Sequence, residues 1–246
     1  MTLINKIQQV LKYSFQSRKK IESSVAYNMW ASTYDDQPGN MVLYLDEIVV
    51  NNLLDNITLQ EKIIADVGCG TGRHWQKILL KNPVELIGYD VSVEMLNKLH
   101  QKYPGAKTYL LHDNILKDLK DASCDMIIST LVVAHIKDLS AALTEWNRVL
   151  KKGGEIIITD FHPESLQNGA TRSFRDNNKT IHIKNYIHSL KKIRSLGKGI
   201  EWEEISFIEK RIDESVKRFF IGEDALIVYG KSVGTPVLYG FHFRKS

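Results

Sequence analysis

Cysteine is scarce in this sequence of 246 residues, which holds only Cys69 and Cys124. Two cysteines are too few for a disulfide scaffold, and no second pair completes a cysteine cage for a metal. No apolar run approaches the roughly 20 residues that a bilayer span requires, and Lys6 and Lys12 interrupt the apolar positions near the N-terminus. The sequence therefore predicts a protein of the reducing cytoplasm, with no metal site, no signal peptide and no membrane span.

A broad basic surface is also missing. The formal net charge is +4, but residues 1–20 hold five basic side chains and no acid, so the remainder of the chain carries −1. Enzymes that act on nucleic acids need a basic face to contact the phosphates. The near-neutral body therefore argues against a nucleic-acid partner.

The basic N-terminal segment has its apolar residues at helical spacing, namely Ile4, Ile7, Leu11 and Phe15. This pattern predicts a basic amphipathic helix that packs on the main domain. We assign it to an N-terminal helical lid over residues 1–40. A weak contact of residues 1–20 with a membrane surface stays open as the alternative, because acid-poor amphipathic segments also serve that purpose.

Beyond this segment, short apolar runs alternate with helical stretches. Five of them predict parallel strands: Ile63–Val67, Val84–Tyr89, Thr108–Leu111, Met126–Leu131 and Glu155–Thr159. Two later runs complete a sheet: Glu204–Arg211 and Val237–Phe243. With right-handed crossovers this alternation gives a doubly wound α/β fold that binds its ligand at the carboxyl ends of the strands.

The alternation breaks after the fifth strand. Pro163–Asn178 is long and polar, and Ile183–Leu196 has a helical pattern. We expect a cap inserted at about residues 161–200 of a main domain that covers residues 41–246, because plain connections are much shorter. Its charged, aromatic and hydrogen-bonding groups are candidate acceptor contacts, with ordinary surface positions as the alternative: Arg172, Phe174, His182, Tyr186 and His188.

A glycine cluster follows the first predicted strand, with Gly68, Gly70 and Gly72 at the entry of a helix. Glycine lets the backbone turn tightly and approach a ligand, and the helix N-terminus offers free N–H groups. The dinucleotide fingerprint fails because Arg73 occupies the position of its third glycine, and no Gly-Lys-Ser/Thr follows to make a phosphate-binding loop.

An acidic residue occupies the position expected for the carboxylate of a nucleoside-binding site. Asp90 ends the second predicted strand, 18 residues after Gly72. A carboxylate at that place accepts hydrogen bonds from both ribose hydroxyls. The glycine turn and Asp90 together predict a nucleoside-binding site.

These segments resemble the class I S-adenosylmethionine-dependent methyltransferases. Asp66–Gly72 looks like their motif I, and Ile87–Leu99 looks like their second motif. The likeness continues through three further segments: His112–Ile115, Cys124–Ile128 and Arg148–Gly154. Tyr27–Asp35 is similar to the N-terminal pattern of the ubiquinone and menaquinone biosynthesis group, known as methyltransferase type 11. The resemblance implies a Rossmann-like, mostly parallel sheet of seven strands with the last antiparallel, and S-adenosylmethionine as the cofactor.

The resemblance also implies roles for individual residues. Gly68 and Gly70 would pass close to the methionine part, Asp90 would bind the ribose, and Asp113 would meet the adenine amino group. Asp66 would order the loop or reach the ligand amine through water. Further cofactor contacts are implied at Gly72, Asn114 and Ser129, with Tyr34 as a lid over the cofactor. The chain departs from the group after Asp113, where Ile115–Leu119 replaces the common Leu-Pro.

Two histidines are catalytic candidates at the ligand edge of the sheet. His162 follows the fifth strand directly, where it would act as a base if the acceptor must lose a proton, or else bond to backbone as an ordinary loop histidine. His135 follows the fourth strand, where the group commonly has a histidine beside the methionine moiety, so a positioning role is expected.

The sequence thus predicts methyl transfer to a small-molecule acceptor. The alternatives are an RNA or protein methyltransferase, a cofactor-binding protein without transfer chemistry, and a dehydrogenase, which Arg73 disfavours. Tyr27 is a further candidate acceptor contact. If the cap does not hold the acceptor, its pocket should lie between Tyr27–Tyr34 and the N-terminal helix. The oligomeric state and the atom that is methylated stay open.

Overall fold

The structure is a computed structural model that describes residues 20–37, 39–177 and 179–246. The helix predicted from Ile4 to Phe15 lies outside the described residues. No helix within the described ranges is long and apolar enough to cross a membrane.

The described chain forms ten strands and eight α-helices. The strands are β1 (Lys20–Ile21), β2 (Ile63–Val67), β3 (Glu85–Asp90), β4 (Lys107–Leu110), β5 (Cys124–Thr130), β6 (Leu150–Phe161), β7 (Ser173–Asp176), β8 (Lys179–Ile183), β9 (Trp202–Arg211) and β10 (Pro236–Lys245). The helices are α1 (Ser23–Trp30), α2 (Met41–Leu54), α3 (Trp75–Leu79), α4 (Val93–Lys102), α5 (Leu139–Val149), α6 (Pro163–Gln167), α7 (Leu190–Gly199) and α8 (Glu223–Ser232). Two short 3₁₀ helices cover Val133–His135 and Glu214–Phe219.

Seven strands form one sheet in the order β4-β3-β2-β5-β6-β10-β9. The pairs among β2 to β6 are parallel, whereas β10 runs antiparallel to both β6 and β9. This is the Rossmann-like, mostly parallel sheet that the sequence predicts, with the last strand antiparallel. The order reverses between β2 and β5, so the carboxyl ends of these two strands flank a crevice suited to a ligand.

Both faces of the sheet are buried, which explains the continuous apolar runs of its strands. On one face α5 contributes Trp146, and α7 contributes Ile193. On the other, α3 contributes Trp75 and α2 contributes Val49. Gly240 of β10 is required for the second layer, because a Cβ there would overlap Val49 Cγ1.

The segment between β6 and α7 contributes β7 and β8 to a small second sheet, which β1 completes in the order β1-β8-β7. The predicted helix over Ile183–Leu196 was wrong at its start, because the chain stays extended to Ser189 and α7 begins at Leu190. The Lys184 N–H donates to Ile21 O at 2.8 Å, and the Tyr186 N–H donates to Ala134 O at 2.7 Å. These bonds hold the backbone out of a helix until the Ser189 hydroxyl caps α7.

Helix α1 lies between this small sheet and α4. The rings of Trp30 and Phe174 stack with centroids 4.7 Å apart. Asn28 Oδ1 accepts hydrogen bonds from Ser92 Oγ at 2.7 Å and from the Glu94 N–H at 3.2 Å, so α1 caps the N-terminus of α4. The stack and the cap place Tyr27 of α1 over the carboxyl edge of the main sheet.

Candidate active site

The glycine loop makes its turn directly after β2. Gly68 has φ of +79°, and its N–H donates to Tyr89 O at 2.6 Å. A Cβ at Gly68 would also overlap Val132 Cγ2, so both the backbone conformation and the neighbouring chain demand glycine. The loop is thereby fixed against the end of β3, where Asp90 lies.

Asp90 is held with its carboxylate facing the loop. Its two oxygens accept hydrogen bonds from the Gly70 N–H and the Ser92 N–H, each at 2.8 Å. The side chain is 7% exposed, and burial raises the pKa of this carboxyl to about 6. Asp90 is therefore ionised at neutral pH and available to accept from a ligand.

A cavity of about 340 Å³ opens at this place between the carboxyl ends of β2, β3 and β5. Eight of the residues singled out from the sequence line it: Tyr27, Tyr34, Gly68, Gly70, Asp90, Asp113, Asn114 and His135. Apolar side chains that the sequence did not single out complete the wall, among them Met95, Leu111, Val132 and Ile136. Carboxylates, glycine backbone and apolar groups together suit a nucleoside that carries an amino-acid tail.

A second cavity of about 180 Å³ adjoins the first. The two share Tyr27, Tyr34 and Leu131 as lining residues. The remaining wall of the second cavity comes from Trp30, Asn40, Val42, Leu43, Phe161, Thr171, Arg172 and Ser173. A ligand in the second cavity would therefore lie next to a ligand in the first.

The comparisons agree with this geometry. The family model described as "Methyltransferase domain" matches residues 65–158. A malonyl-[acyl-carrier protein] O-methyltransferase from Yersinia pestis is 37% identical over 107 residues, and a ubiquinone/menaquinone biosynthesis C-methyltransferase from Campylobacter jejuni is 28% identical over 185 residues. The crystal structure of an S-adenosylmethionine-dependent methyltransferase from Mesorhizobium loti aligns with a TM-score of 0.62 at 14% identity, covering 80% of this chain and 95% of that one.

The chain contains a class I, S-adenosylmethionine-dependent methyltransferase domain. The Campylobacter match covers 70% of this chain and 75% of the relative, but the Yersinia match covers 42% of this chain and 38% of that enzyme. The resemblance inferred from the glycine loop and Asp90 is thus confirmed for the domain. It does not assign the acceptors of these relatives to this chain.

Three of the predicted cofactor residues of this methyltransferase domain do not line the cavity. Asp66 accepts a hydrogen bond from Trp75 Nε1 at 2.8 Å, and burial raises the pKa of its carboxyl to about 7. Ser129 donates to Val67 O at 2.9 Å, and Gly72 supplies a turn with φ of +74°. These residues shape the glycine loop from behind, in line with the loop-ordering role implied for Asp66.

A buried polar cluster forms part of the walls of both cavities. Arg172 reaches from the small sheet to Asp160 Oδ1 at 2.9 Å, to Tyr27 Oη at 3.1 Å and to His135 Nε2 at 2.6 Å, and it also donates to Leu131 O. Tyr27 Oη lies 3.0 Å from His135 Nε2. The cluster therefore joins α1, the end of β6 and the start of the small sheet at the wall of the site.

His135 is held in one neutral tautomer. Its Nδ1 donates to Lys184 O at 3.1 Å, which leaves Nε2 as an acceptor facing Arg172. Burial and the guanidinium of Arg172 lower the pKa of this imidazole to about 3. His135 therefore does not become cationic at neutral pH, and its place supports the positioning role expected from the sequence.

His162 faces away from both cavities. Its Nδ1 accepts from the Glu164 N–H at 3.3 Å, its Nε2 lies 3.1 Å from Glu209 Oε2, and the ring meets Tyr239 edge-on. Directly after β6 the chain turns into α6, and His162 becomes the N-cap of that helix. The structure therefore does not bring this predicted base to either cavity.

Most other candidates of the inserted segment also lie outside the two cavities. His182 belongs to β8 and lies 3.3 Å from Thr171 Oγ1, whereas His188 Nε2 donates to Ile136 O at 2.8 Å. Tyr186 and His188 line a separate small cavity of about 10 Å³ near Tyr239. Of the cap residues predicted to bind the acceptor, the structure brings only Arg172 to the second cavity, while Phe174 supports Trp30 from behind.

Two acidic contacts that the sequence analysis missed attach neighbouring segments to the glycine loop. Thr71 Oγ1 donates to Asp35 at 2.6 Å. Arg73 forms an ion pair with the fully buried Asp46 of α2, which also binds His74 at 3.1 Å. Arg73, which excluded a dinucleotide fingerprint, thus has a structural role. The sequence offered one signal for this ion pair, namely a basic residue directly after the glycine loop and an acidic residue on the apolar face of a helix.

Proposed function

We propose that this chain transfers the methyl group of S-adenosylmethionine to a small-molecule acceptor bound in the second cavity. The observation that carries the proposal is the contact between the two cavities, which share Tyr27, Tyr34 and Leu131. A cofactor in the larger cavity and an acceptor in the smaller one would meet at that shared wall. The relatives named as malonyl-[acyl-carrier protein] O-methyltransferase and ubiquinone/menaquinone C-methyltransferase support the reaction type.

The residues of the larger cavity fit the cofactor. Asp90 would accept from the ribose hydroxyls, and Asp113 and Asn114 offer polar groups to the adenine. Gly68 and Gly70 bring bare backbone close to the methionine part. The bound cofactor supplies a methyl group activated on a sulfonium, and its positive charge suits a cavity that contains carboxylates.

Alignment of the acceptor and exclusion of water supply most of the acceleration in such an in-line displacement. Tyr27 and Tyr34 of the N-terminal lid cover both cavities, so they hold the acceptor and keep water out. His135 is neutral, with Nε2 already facing Arg172, and therefore orients the wall instead of taking a proton.

The proposal predicts where a labelled methyl group goes. The protein is incubated with methyl-labelled S-adenosylmethionine and a cell extract that has been separated into a metabolite fraction, an RNA fraction and a protein fraction. We expect label in the metabolite fraction alone, because the second cavity holds a small molecule and offers no basic surface to RNA. Methyl transfer should require Asp90, so the Asp90→Ala variant is the negative control.

The outcomes separate the candidate functions. Label that appears only in RNA or only in protein would contradict the small-molecule assignment and establish the alternative. Binding of S-adenosylhomocysteine without transfer to any fraction would instead indicate a cofactor-binding protein. Either result would leave the domain assignment untouched, because that rests on the fold and the matched segment.

A further inference from the structure

The connection between β9 and β10 carries helix α8 on the outside of the domain. Most hairpin connections have about two to five residues, whereas this one runs from residue 212 to residue 235. The inner side of α8 is held by Tyr229, whose hydroxyl donates to Glu214 Oε2 at 3.0 Å and whose ring meets that of Phe220. Each residue of α8 is nevertheless exposed or half-buried. The helix is therefore anchored along one side and uncovered along the other.

The uncovered surface of this connection is largely apolar. Five aliphatic residues in and beside α8 are between 45% and 86% exposed: Ile221, Leu226, Ile227, Val228 and Val233. Together they expose roughly 500 Å², which is in the upper range for the largest apolar patch of a monomer. Patches of this size mark interaction sites. Their concentration in one short segment therefore points to a surface that a partner covers.

The exposed residues are arranged symmetrically about Ile227. The pairs at equal distance from it along the chain are Leu226 and Val228, Glu223 and Lys231, and Ile221 and Val233. An antiparallel pair of α8 helices, related by a twofold axis at Ile227, would place the two members of each pair opposite one another. Apolar residues would then face apolar residues, and the acid would face the base. The segment is therefore complementary to itself.

The charged pair sets the direction of such a contact. Glu223, Ile227 and Lys231 are spaced by four residues, so they lie along one side of the helix, and all three are exposed. In the antiparallel pair each Glu223 would face the partner's Lys231, which gives two ion pairs. A parallel pair would instead set like charges opposite one another. The charges thus favour a twofold, antiparallel contact.

The size and the charge of the patch favour a second copy of this chain over a membrane. A standard interface buries about 800 Å² on each partner, and the apolar share in homodimers is about 65%. The apolar patch around α8 matches that share. An anionic membrane surface attracts basic segments, whereas α8 holds the two acids Glu223 and Asp224 and the single base Lys231.

We propose that α8 is a dimerisation surface, on which a second copy of this chain packs antiparallel across a twofold axis at Ile227. The contact is isologous, so it closes at two copies and leaves no open end. Residues of α8 line neither the first nor the second cavity. The dimer therefore goes beyond the proposed function and does not depend on it.

Sedimentation equilibrium of the full chain, at about 1 to 100 µM, tests the proposal. We expect a monomer–dimer equilibrium in which the larger species has twice the chain mass of 28.2 kDa. Ile227→Asp should raise the dissociation constant at least about tenfold, because it sets two carboxylates against each other at the axis. Lys192→Glu, an exposed charge change on α7, is the control and should behave as wild type.

A charge exchange tests the pairing itself. Lys231→Glu would face Glu223 of the partner subunit, and Glu223→Lys would face the partner's Lys231. Each variant alone should therefore associate at least about tenfold more weakly than wild type. An equimolar mixture of the two variants should form heterodimers with nearly wild-type affinity, because every base then faces an acid. Neither change touches the cavities, so binding of S-adenosylhomocysteine shows that each variant is folded.

Three results would overturn the proposal. The first is a wild-type chain that stays monomeric at the highest concentration. The second is a dimer that Ile227→Asp and Lys231→Glu leave as tight as in wild type, since the chain would then associate through another surface. The third is a mixture of Glu223→Lys and Lys231→Glu that stays monomeric, since the ion pairs would then not form.

Discussion

Replacing Asp90 with alanine is expected to weaken binding of S-adenosylhomocysteine roughly 10- to 150-fold, or about 1.5 to 3 kcal/mol. The carboxylate is buried, and it already orders the Gly70 and Ser92 N–H groups at 2.8 Å each. Its removal would leave the ribose hydroxyls without a charged acceptor and would also release the glycine loop. Calorimetric titration of the two proteins with S-adenosylhomocysteine measures the difference.

Glu94→Ala is the matched control, because Glu94 is an exposed acid four residues further along the chain that does not line the cavity. Equal affinities of wild type and Asp90→Ala would contradict the ribose assignment. The pH dependence provides a second check. Since burial raises the pKa of Asp90 to about 6, the carboxylate becomes protonated as the pH falls through that value, and affinity should fall with it. The pKa of Asp66, raised to about 7, adds an effect of the same sign.

Replacing Asp46 with alanine is expected to destabilise the fold by about 3 to 5 kcal/mol. Asp46 is fully buried, and its carboxylate binds Arg73, His74 and the Thr159 hydroxyl. Burial by itself would raise the pKa of this carboxyl, but the charge of Arg73 together with the contacts of His74 and Thr159 outweighs burial and holds the pKa below the usual range. The alanine variant would leave a largely buried guanidinium without a counter-ion beside the glycine loop.

The neighbouring ion pair supplies the control for this change. Glu47 and Lys77 also join α2 to α3, at 2.5 Å, but both side chains are about half exposed. Glu47→Ala should therefore cost at most about 1 kcal/mol. Urea denaturation of both variants measures the two costs. Similar losses for Asp46→Ala and Glu47→Ala would contradict the role assigned to the buried pair.

The sheet and the cofactor loop could be predicted from sequence because their signals are local. Each inner strand carries its own apolar run, since both faces of the sheet are covered. The glycine turn and Asp90 occur at fixed places relative to β2 and β3, so chain position alone brings them together. The same locality explains why six of the nine predicted cofactor residues line the cavity.

The acceptor side could not be predicted in this way. The contacts of Arg172 with Asp160, Tyr27 and His135 join separate parts of the chain. No local sequence pattern predicts such contacts. The start of α7 depends on backbone bonds from β8 and the following residues to Ile21 and Ala134. His162 follows β6 directly at the expected edge of the sheet, but its side chain is directed to Glu209 of β9 and not to the cavities. The direction of a side chain beyond the end of a strand depends on its tertiary contacts.

If the acceptor occupies the cavity beside the cofactor, a side chain that fills this cavity should abolish methyl transfer and spare cofactor binding. Leu43 of α2 lines the second cavity and not the first, so Leu43→Trp should occupy the acceptor space alone. With the acceptor recovered from the labelling experiment, we expect Leu43→Trp to lose nearly all methyl transfer while keeping wild-type affinity for S-adenosylhomocysteine. Leu43→Ala, which enlarges the same space, should still transfer the methyl group. Wild-type turnover in Leu43→Trp would contradict the claim.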